Sequence, residues 1–194
     1  MAMYTIAQPC AAHVKAALIS SRYLLAEDPG QYCGACPNFG KLWSCPPLPE
    51  SAREFFKKYE TATIAGLKVS RAEDGKGDEY FLPEGASDFM RMICEKFTPY
   101  LLEAEKLNCG SLALLAGPCA ACPDGDCARI SGKPCRHPDK MRTSLESRGV
   151  NVAEIAKDLF GVEMKWPKKD APADYFFFVG AILWDKEAAL PRLF

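Results

Sequence analysis

Tyr175-Phe-Phe-Phe-Val-Gly-Ala-Ile-Leu-Trp184 is the longest apolar run in this chain of 194 residues. A helix needs about 20 apolar residues to cross a bilayer, so a run half that length reads as a buried strand. Phe176, Phe177 and Phe178 then belong to a strand core rather than to a base-stacking platform. Upstream, Val162–Trp166 is the expected hairpin partner, with Pro167–Pro172 as the connection. Thr61–Val69 is apolar and partly β-branched, and Leu112–Ala116 is short, apolar and flanked by glycine; both read as strands.

Helical signals lie between them. Ser51-Ala-Arg-Glu54 is a capping-box pattern that opens a short helix to about Tyr59, and Asn151-Val-Ala-Glu154 opens another that Gly161 ends. Phe89, Ile93, Phe97, Leu101 and Leu107 fall near helical spacing in a longer helix that Ser87 caps, and Pro99 is expected to kink or divide it. Cys10–Leu25 reads as a first helix on the spacing of Val14, Leu18 and Ile19. Asp139–Arg148 reads as a helix stopped by Gly149. Arg71–Gly85, charged and glycine-containing, reads as an exposed loop or hairpin tip. The order of elements favours an α+β fold over residues 1–194 as a single domain: a small, mainly antiparallel sheet with helices packed on one face, and two Cys-rich loops at 28–49 and 117–138.

Composition narrows the function classes. Apolar residues are 48% and charged residues 25% of the chain, ordinary for a folded globular protein. Net charge is -1, so no basic excess calls for nucleic acid or an anionic membrane. Met1–Gln8 lacks the basic-then-apolar pattern of a signal peptide, and a cytoplasmic location is expected. Disulfides are rare in that compartment, and the ten cysteines fall short of the density of a disulfide scaffold. Free cysteine buries well, which suffices for the isolated Cys94 and Cys109 as core residues.

The other cysteines cluster. Cys33-Gly-Ala-Cys36 is followed by Cys45-Pro46-Pro47, and Cys119-Ala-Ala-Cys122 by Cys127 and Cys135. Thiolates are soft donors that hold zinc or iron–sulfur clusters, and a CxxC turn sends two sulfurs toward one metal. Structural zinc sites often use two paired knuckles, whereas each loop here has one CxxC and then widely spaced single cysteines. The second loop supplies the four thiolates that a [4Fe–4S] cluster takes. Prolines beside Cys36, Cys45, Cys119, Cys122 and Cys135 restrict loop shape and screen water. The first loop has three cysteines. Cys10 is a candidate fourth ligand, His13 and His137 less typical ones. Otherwise one iron stays open to a small molecule, or the two loops share a site.

The remaining candidates have structural readings. His137 sits two residues from Cys135 and could donate to a cluster sulfur, although such a residue commonly just ends a loop. Arg136, Lys140 and Arg142 could neutralise a reduced cluster, but read first as a solvated helix face. Lys41 and Trp43 lie inside the first loop, where Trp43 is expected to pack over the site. Asp124 and Asp126 flank Gly125 in a turn. No GxGxxG, GxxxxGK(S/T), CxxxCxxC or HExxH pattern is present.

The motif Cys33-x-x-Cys36-Pro37-Asn38-Phe39-Gly40-Lys41-x-Trp43-x-Cys45-Pro46-Pro47 resembles the first motif of the predicted metal-binding protein family called domain of unknown function 2284. Gly117-Pro118-Cys119-x-x-Cys122, Cys127 and Pro134-Cys135-Arg136-His137-Pro138 resemble its second motif, with Arg142, Ser144, Leu145, Glu146 and Gly149 after it. Phe39 stands where the family usually has tyrosine, and Arg142-Thr-Ser-Leu-Glu146 where it has Arg-Pro-Ser-Met-Glu. The resemblance spans nearly the whole chain. It implies a metal-binding protein of the kind found in anaerobic bacteria and archaea, and adds no reaction.

Three functions follow as expectations. The first is an iron–sulfur protein with at least one [4Fe–4S] cluster that carries electrons to a redox partner. The second is a catalyst whose open iron acts as a Lewis acid on a small substrate. The third is a protein in which structural zinc staples irregular backbone.

Overall fold

A computed structural model describes residues 3–6, 9–25, 32–71, 80–81, 86–122, 126–165 and 174–185. Its centre is the ladder between β3 (Thr61–Arg71) and β6 (Tyr175–Trp184), paired antiparallel from Thr61 opposite Trp184 to Ser70 opposite Tyr175. On the free edge of β3 lie β1 (Met3–Ile6) and β2 (Cys10–Lys15). On the far edge of β6 lies β5 (Ser111–Leu114), and β4 (Tyr80–Phe81) pairs with β1. Every ladder is antiparallel.

The sheet is covered on both faces, not on one. Strand geometry sends alternate side chains to opposite faces, and here both sets are apolar. Phe176, Phe178, Ile182 and Trp184 of β6 join Ala65, Leu67 and Val69 of β3 in one cluster. That cluster packs under Ile93, Phe97 and Leu101 of α3 (Ala86–Leu107). Phe177, Val179, Ala181 and Leu183 face the other way. There they meet Ile19 and Tyr23 of the π-helical turn that follows α1 (Ala16–Leu18), Phe55 and Phe56 of α2 (Ala52–Phe56), and Ile155 and Ala156 of α4 (Val152–Phe160). A strand buried on both sides reads as a continuous apolar run, which is what Tyr175–Trp184 is.

Polar groups inside this core are paired. The Trp184 indole N–H donates to Thr63 Oγ1 at 3.1 Å, and His13 Nδ1 lies 3.1 Å from the same oxygen. Both short helices carry the expected caps: Ser51 Oγ accepts from Glu54 N–H, and Asn151 Oδ1 from Glu154 N–H. Gly161 closes α4 at a φ of 66°. Pro99 sits within α3 without dividing it. Pro99 and Glu95, four residues earlier, are both exposed, so water can take the carbonyl that the missing N–H leaves free.

Several expected elements differ. Cys10–Leu25 is not one helix: Cys10–Lys15 is strand β2, because six successive residues find partners on β3 from Gly66 back to Thr61. Non-local pairing there overrides the helical preference of its alanines. Asp139–Arg148 is not a helix either. Ser144 N–H donates to Ser147 Oγ and Ser147 N–H to Ser144 Oγ, and such bonds between side chain and backbone compete with the helical ladder. Only the 3₁₀ turn Glu146–Arg148 remains. The described part of the expected strand Val162–Trp166, residues 162–165, does not pair with β6, whose ladder partners are β3 and β5; Val162 and Met164 instead pack on the α4 face. Trp166 and Pro167–Pro172 lie outside the described residues, as does most of the 71–85 loop. Leu107, expected on the buried stripe of α3, is exposed, and so is Cys109.

Gly180 on β6 leaves room for Leu101 of α3 to approach the strand. A Cβ there would stand 2.6 Å from Leu101 Cδ1 and 3.0 Å from the Leu114 carbonyl oxygen. Gly180→Val is expected to cost about 1–3 kcal/mol through overpacking, read as a lowered urea midpoint at an unchanged slope.

Candidate metal centre

The first loop runs from Tyr32 to Pro49 as a chain of tight turns. Cys36 N–H donates to Cys33 O, Phe39 N–H to Cys36 O, Gly40 N–H to Pro46 O, and Cys45 N–H to Leu42 O. These turns satisfy the backbone without a sheet, and they carry three cysteines. The Cys36 charge bears on both Cys33 and Cys45, and burial is the largest influence raising the thiol pKa of each. Ser44, almost wholly buried, places Oγ 3.9 Å from Cys45 Sγ.

The second loop leaves β5 through Leu115 and Ala116. Cys119, half-buried, is the first of its four cysteines. Burial raises the Cys119 pKa, while backbone hydrogen bonds with Ala121 and Arg142 pull it down and the charges of Cys135 and Cys122 raise it further. N–H groups aimed at a sulfur favour its anionic form, the form that binds metal. Cys127 precedes the 3₁₀ turn Ala128–Ser131, and its carbonyl accepts from Ile130 N–H. Cys122 and Cys135 thus both lie near enough to bear on Cys119. Asp124 lies outside the described residues.

The two loops are docked on each other. Arg129, from the second, donates through Nη1 to the carbonyls of Leu42 and Cys45, both at 2.7 Å, and through Nη2 to Pro47 O at 2.8 Å. Its guanidinium also lies 5.1 Å from the centre of the Trp43 ring, whose indole N–H donates to Lys133 O at 3.1 Å. Cys119 N–H donates to Ser44 Oγ at 3.2 Å. One hydroxyl therefore touches a cysteine residue of each loop. Trp43, expected to cover the site, is a half-buried clamp between the loops.

A third anchor fixes the far end of the second loop. Arg142 donates through Nε to Glu105 Oε2 at 2.7 Å and through Nη2 to Glu105 Oε1, and Glu105 Oε2 also accepts from Ala113 N–H at 2.6 Å. Both side chains are largely buried. Arg142 therefore ties the loop to α3 and β5 instead of lying on a solvated helix face. Arg136 donates to the Asp126 carbonyl. His137 accepts through its backbone carbonyl from Lys140 and Met141 N–H.

Cys10 stands elsewhere. It lies on β2 opposite Gly66, and its Sγ donates to Gly66 O at 3.5 Å. Cys94 on α3 packs against the core, its pKa pushed up to about 12 by burial, with Glu146 the next cause. Among the described residues, no three Cys, His, Asp or Glu side chains form a closed set of metal ligands. The donor chemistry nonetheless fits a soft metal: the loops carry seven cysteines and no hydrophobic core of their own, and thiolates drawn together require a cation.

Ser44, Arg129 and Glu105 were not legible as site residues. Ser44 adjoins Cys45 and Arg129 follows Cys127 by two positions, so proximity to a ligand cysteine was the available signal. The chain matches the family model described as predicted metal-binding protein, domain of unknown function 2284, over residues 19–184. No curated protein and no solved structure matches it.

Arg129→Met removes three hydrogen bonds between the loops. It is expected to cost about 1–3 kcal/mol and to speed amide exchange across residues 36–47, with the β3–β6 ladder unchanged. Arg129→Lys is expected not to restore protection, because an ammonium cannot reproduce the guanidinium fork.

Proposed function

The chain belongs to the predicted metal-binding family, domain of unknown function 2284, and on that premise we propose that it is an iron–sulfur protein with an electron-transfer role. Cys119, Cys122, Cys127 and Cys135 would hold a [4Fe–4S] cluster, and Cys33, Cys36 and Cys45 would hold a second centre. The observation that carries this reading is the docking of the two loops, with the Ser44 hydroxyl in contact with Cys45 and with the backbone of Cys119. Two redox centres, one in each of the docked loops, would suit the relay of single electrons to a partner protein. When bound, such a cluster supplies an electron store whose potential depends on burial and on hydrogen bonds to its sulfurs. The chain contributes those terms through the N–H groups of Ala121 and Arg142 near Cys119. Among the described residues no helix is long and apolar enough to cross a membrane.

Purification without oxygen tests the assignment. Iron and acid-labile sulfide in equal amounts, about four of each per cluster, with broad visible absorption, are expected. A colourless protein with stoichiometric zinc would overturn it in favour of the structural reading. Cys122→Ser with Cys127→Ser is expected to remove the second-loop cluster and its share of the colour.

Metal uptake is also expected to depend on pH with a definite sign. The thiols of Cys33, Cys45 and Cys119 are raised by burial, so they carry protons at neutral pH that metal must displace. Affinity should rise with pH, and cobalt(II) titration in weak buffer should release protons. Uptake independent of pH between about 6 and 9 would contradict this.

A further inference from the structure

Two buried side-chain atoms among the described residues have no hydrogen-bond partner: Glu146 Oε2 and Arg148 Nη1. Arg148 Nη1 lies 3.9 Å from Glu50 Oε1, so its charge has an opposite close by. Glu146 has no such compensation. Its hydrogen-bonding contacts are its own backbone and the Ser144 side chain, and no cation contributes to holding its charge. The residue as a whole is only half-buried, yet Oε2 itself is sealed from water. Burying a carboxyl oxygen without a partner is costly, and such an orphaned atom in a fold calls for a partner to be placed there.

The surroundings indicate what. Glu146 begins the 3₁₀ turn Glu146–Arg148, and this turn abuts the first loop: Ser147 and Arg148 line a cavity of about 400 Å³ together with Pro46 and Pro47, which directly follow Cys45. On the ligand side, the carboxylate lies close enough to Cys33 for its charge to bear on that thiol. The first loop has three cysteines and lacks a fourth donor. Cys10 is engaged with Gly66 on β2.

We propose that Glu146 is the fourth protein ligand of the first-loop centre, with Oε2 completing the set begun by Cys33, Cys36 and Cys45. The inference rests on the metal reading of that loop. A cation supplies the partner that Oε2 lacks, and both zinc and cluster iron accept carboxylate oxygen beside thiolate. A harder oxygen donor holds a soft-ligand iron less firmly than a fourth thiolate does. The first-loop centre would then be the more labile of the two, able to exchange its carboxylate for a small ligand.

The test uses the full chain carrying Cys122→Ser and Cys127→Ser, so that only the first-loop centre is read. It is reconstituted without oxygen with iron and sulfide. With Glu146 present, about four irons per chain are expected. Glu146→Ala should lose one iron on mild oxidation and show the EPR signal of a three-iron cluster, while Glu146→Cys should keep all four and change the EPR spectrum of the reduced state. If zinc binds instead, cobalt(II) absorption replaces EPR, and the Ala and Cys variants must differ from the parent in opposite directions. Glu146→Gln separates ligation from structure: the metal-free chain should melt no lower than its parent, because the replaced oxygen Oε2 makes no hydrogen bond there, whereas the loaded chain should melt lower. Iron content and spectra unchanged in Glu146→Ala, or a metal-free Glu146→Gln chain that melts lower, would overturn the proposal. If the chain with Glu146 takes up no metal at all, the metal reading of the first loop fails, and the ligand assignment fails with it.

Discussion

The ten-pair ladder between β3 and β6 is the constraint on which the rest of the molecule depends. Its register puts Thr63 opposite Ile182 and leaves the Trp184 indole within reach of Thr63 Oγ1. A slip of one residue would turn Phe176, Phe178 and Ile182 toward α4, and Phe177, Val179 and Ala181 toward α3. Both faces are apolar, so polarity alone would not forbid the slip. Shape does. Gly180 must face Leu101 and Gly66 must lie under Phe177, because neither site has room for a Cβ. The two glycines, one on each face, make the sheet's register specific where hydrophobicity cannot.

The cysteine loops have no such scaffold. They are held by charge-assisted hydrogen bonds from arginines to backbone carbonyls and to a carboxylate. Arg129 grips the first loop, and Arg142 locks the second to Glu105. Such bonds are stronger than neutral ones and are directional, so they fix backbone shape in a region too poor in apolar contacts to fix it by packing. The loops that present the thiols thus have their backbone largely satisfied by these bonds. Prolines at 37, 46, 118 and 134 fit this logic, since they remove donors that would otherwise need partners.

What could be read from the residues was whatever is decided locally. Ser51 and Asn151 cap helices because their side chains reach a backbone N–H three residues on, and Tyr175–Trp184 announces itself by its apolar length. The strand at Cys10–Lys15 was not legible, because its alanines favour helix and only the partner strand makes it extended. Nor was the Ser144 turn, where reciprocal serine hydrogen bonds replace the helix that spacing suggested. The same division holds at the centre. Grouping of the cysteines into two loops is written in their spacing. Docking of one loop on the other is written in Arg129 and Ser44, residues of ordinary type whose meaning comes from partners more than 70 positions away.

The clamp between the loops has a thermodynamic consequence. On the proposed metal reading, an ion that closes either loop tightens backbone that is shared through Arg129 and Ser44. Whichever loop fills first will have borne part of the ordering entropy of the other. Linkage makes the effect reciprocal, so each loop tightens the other by the same factor. Two chemically different centres would then load and empty together, with a titration steeper than that of independent sites, and the chain would pass between an empty and a filled form with little of the half-filled one.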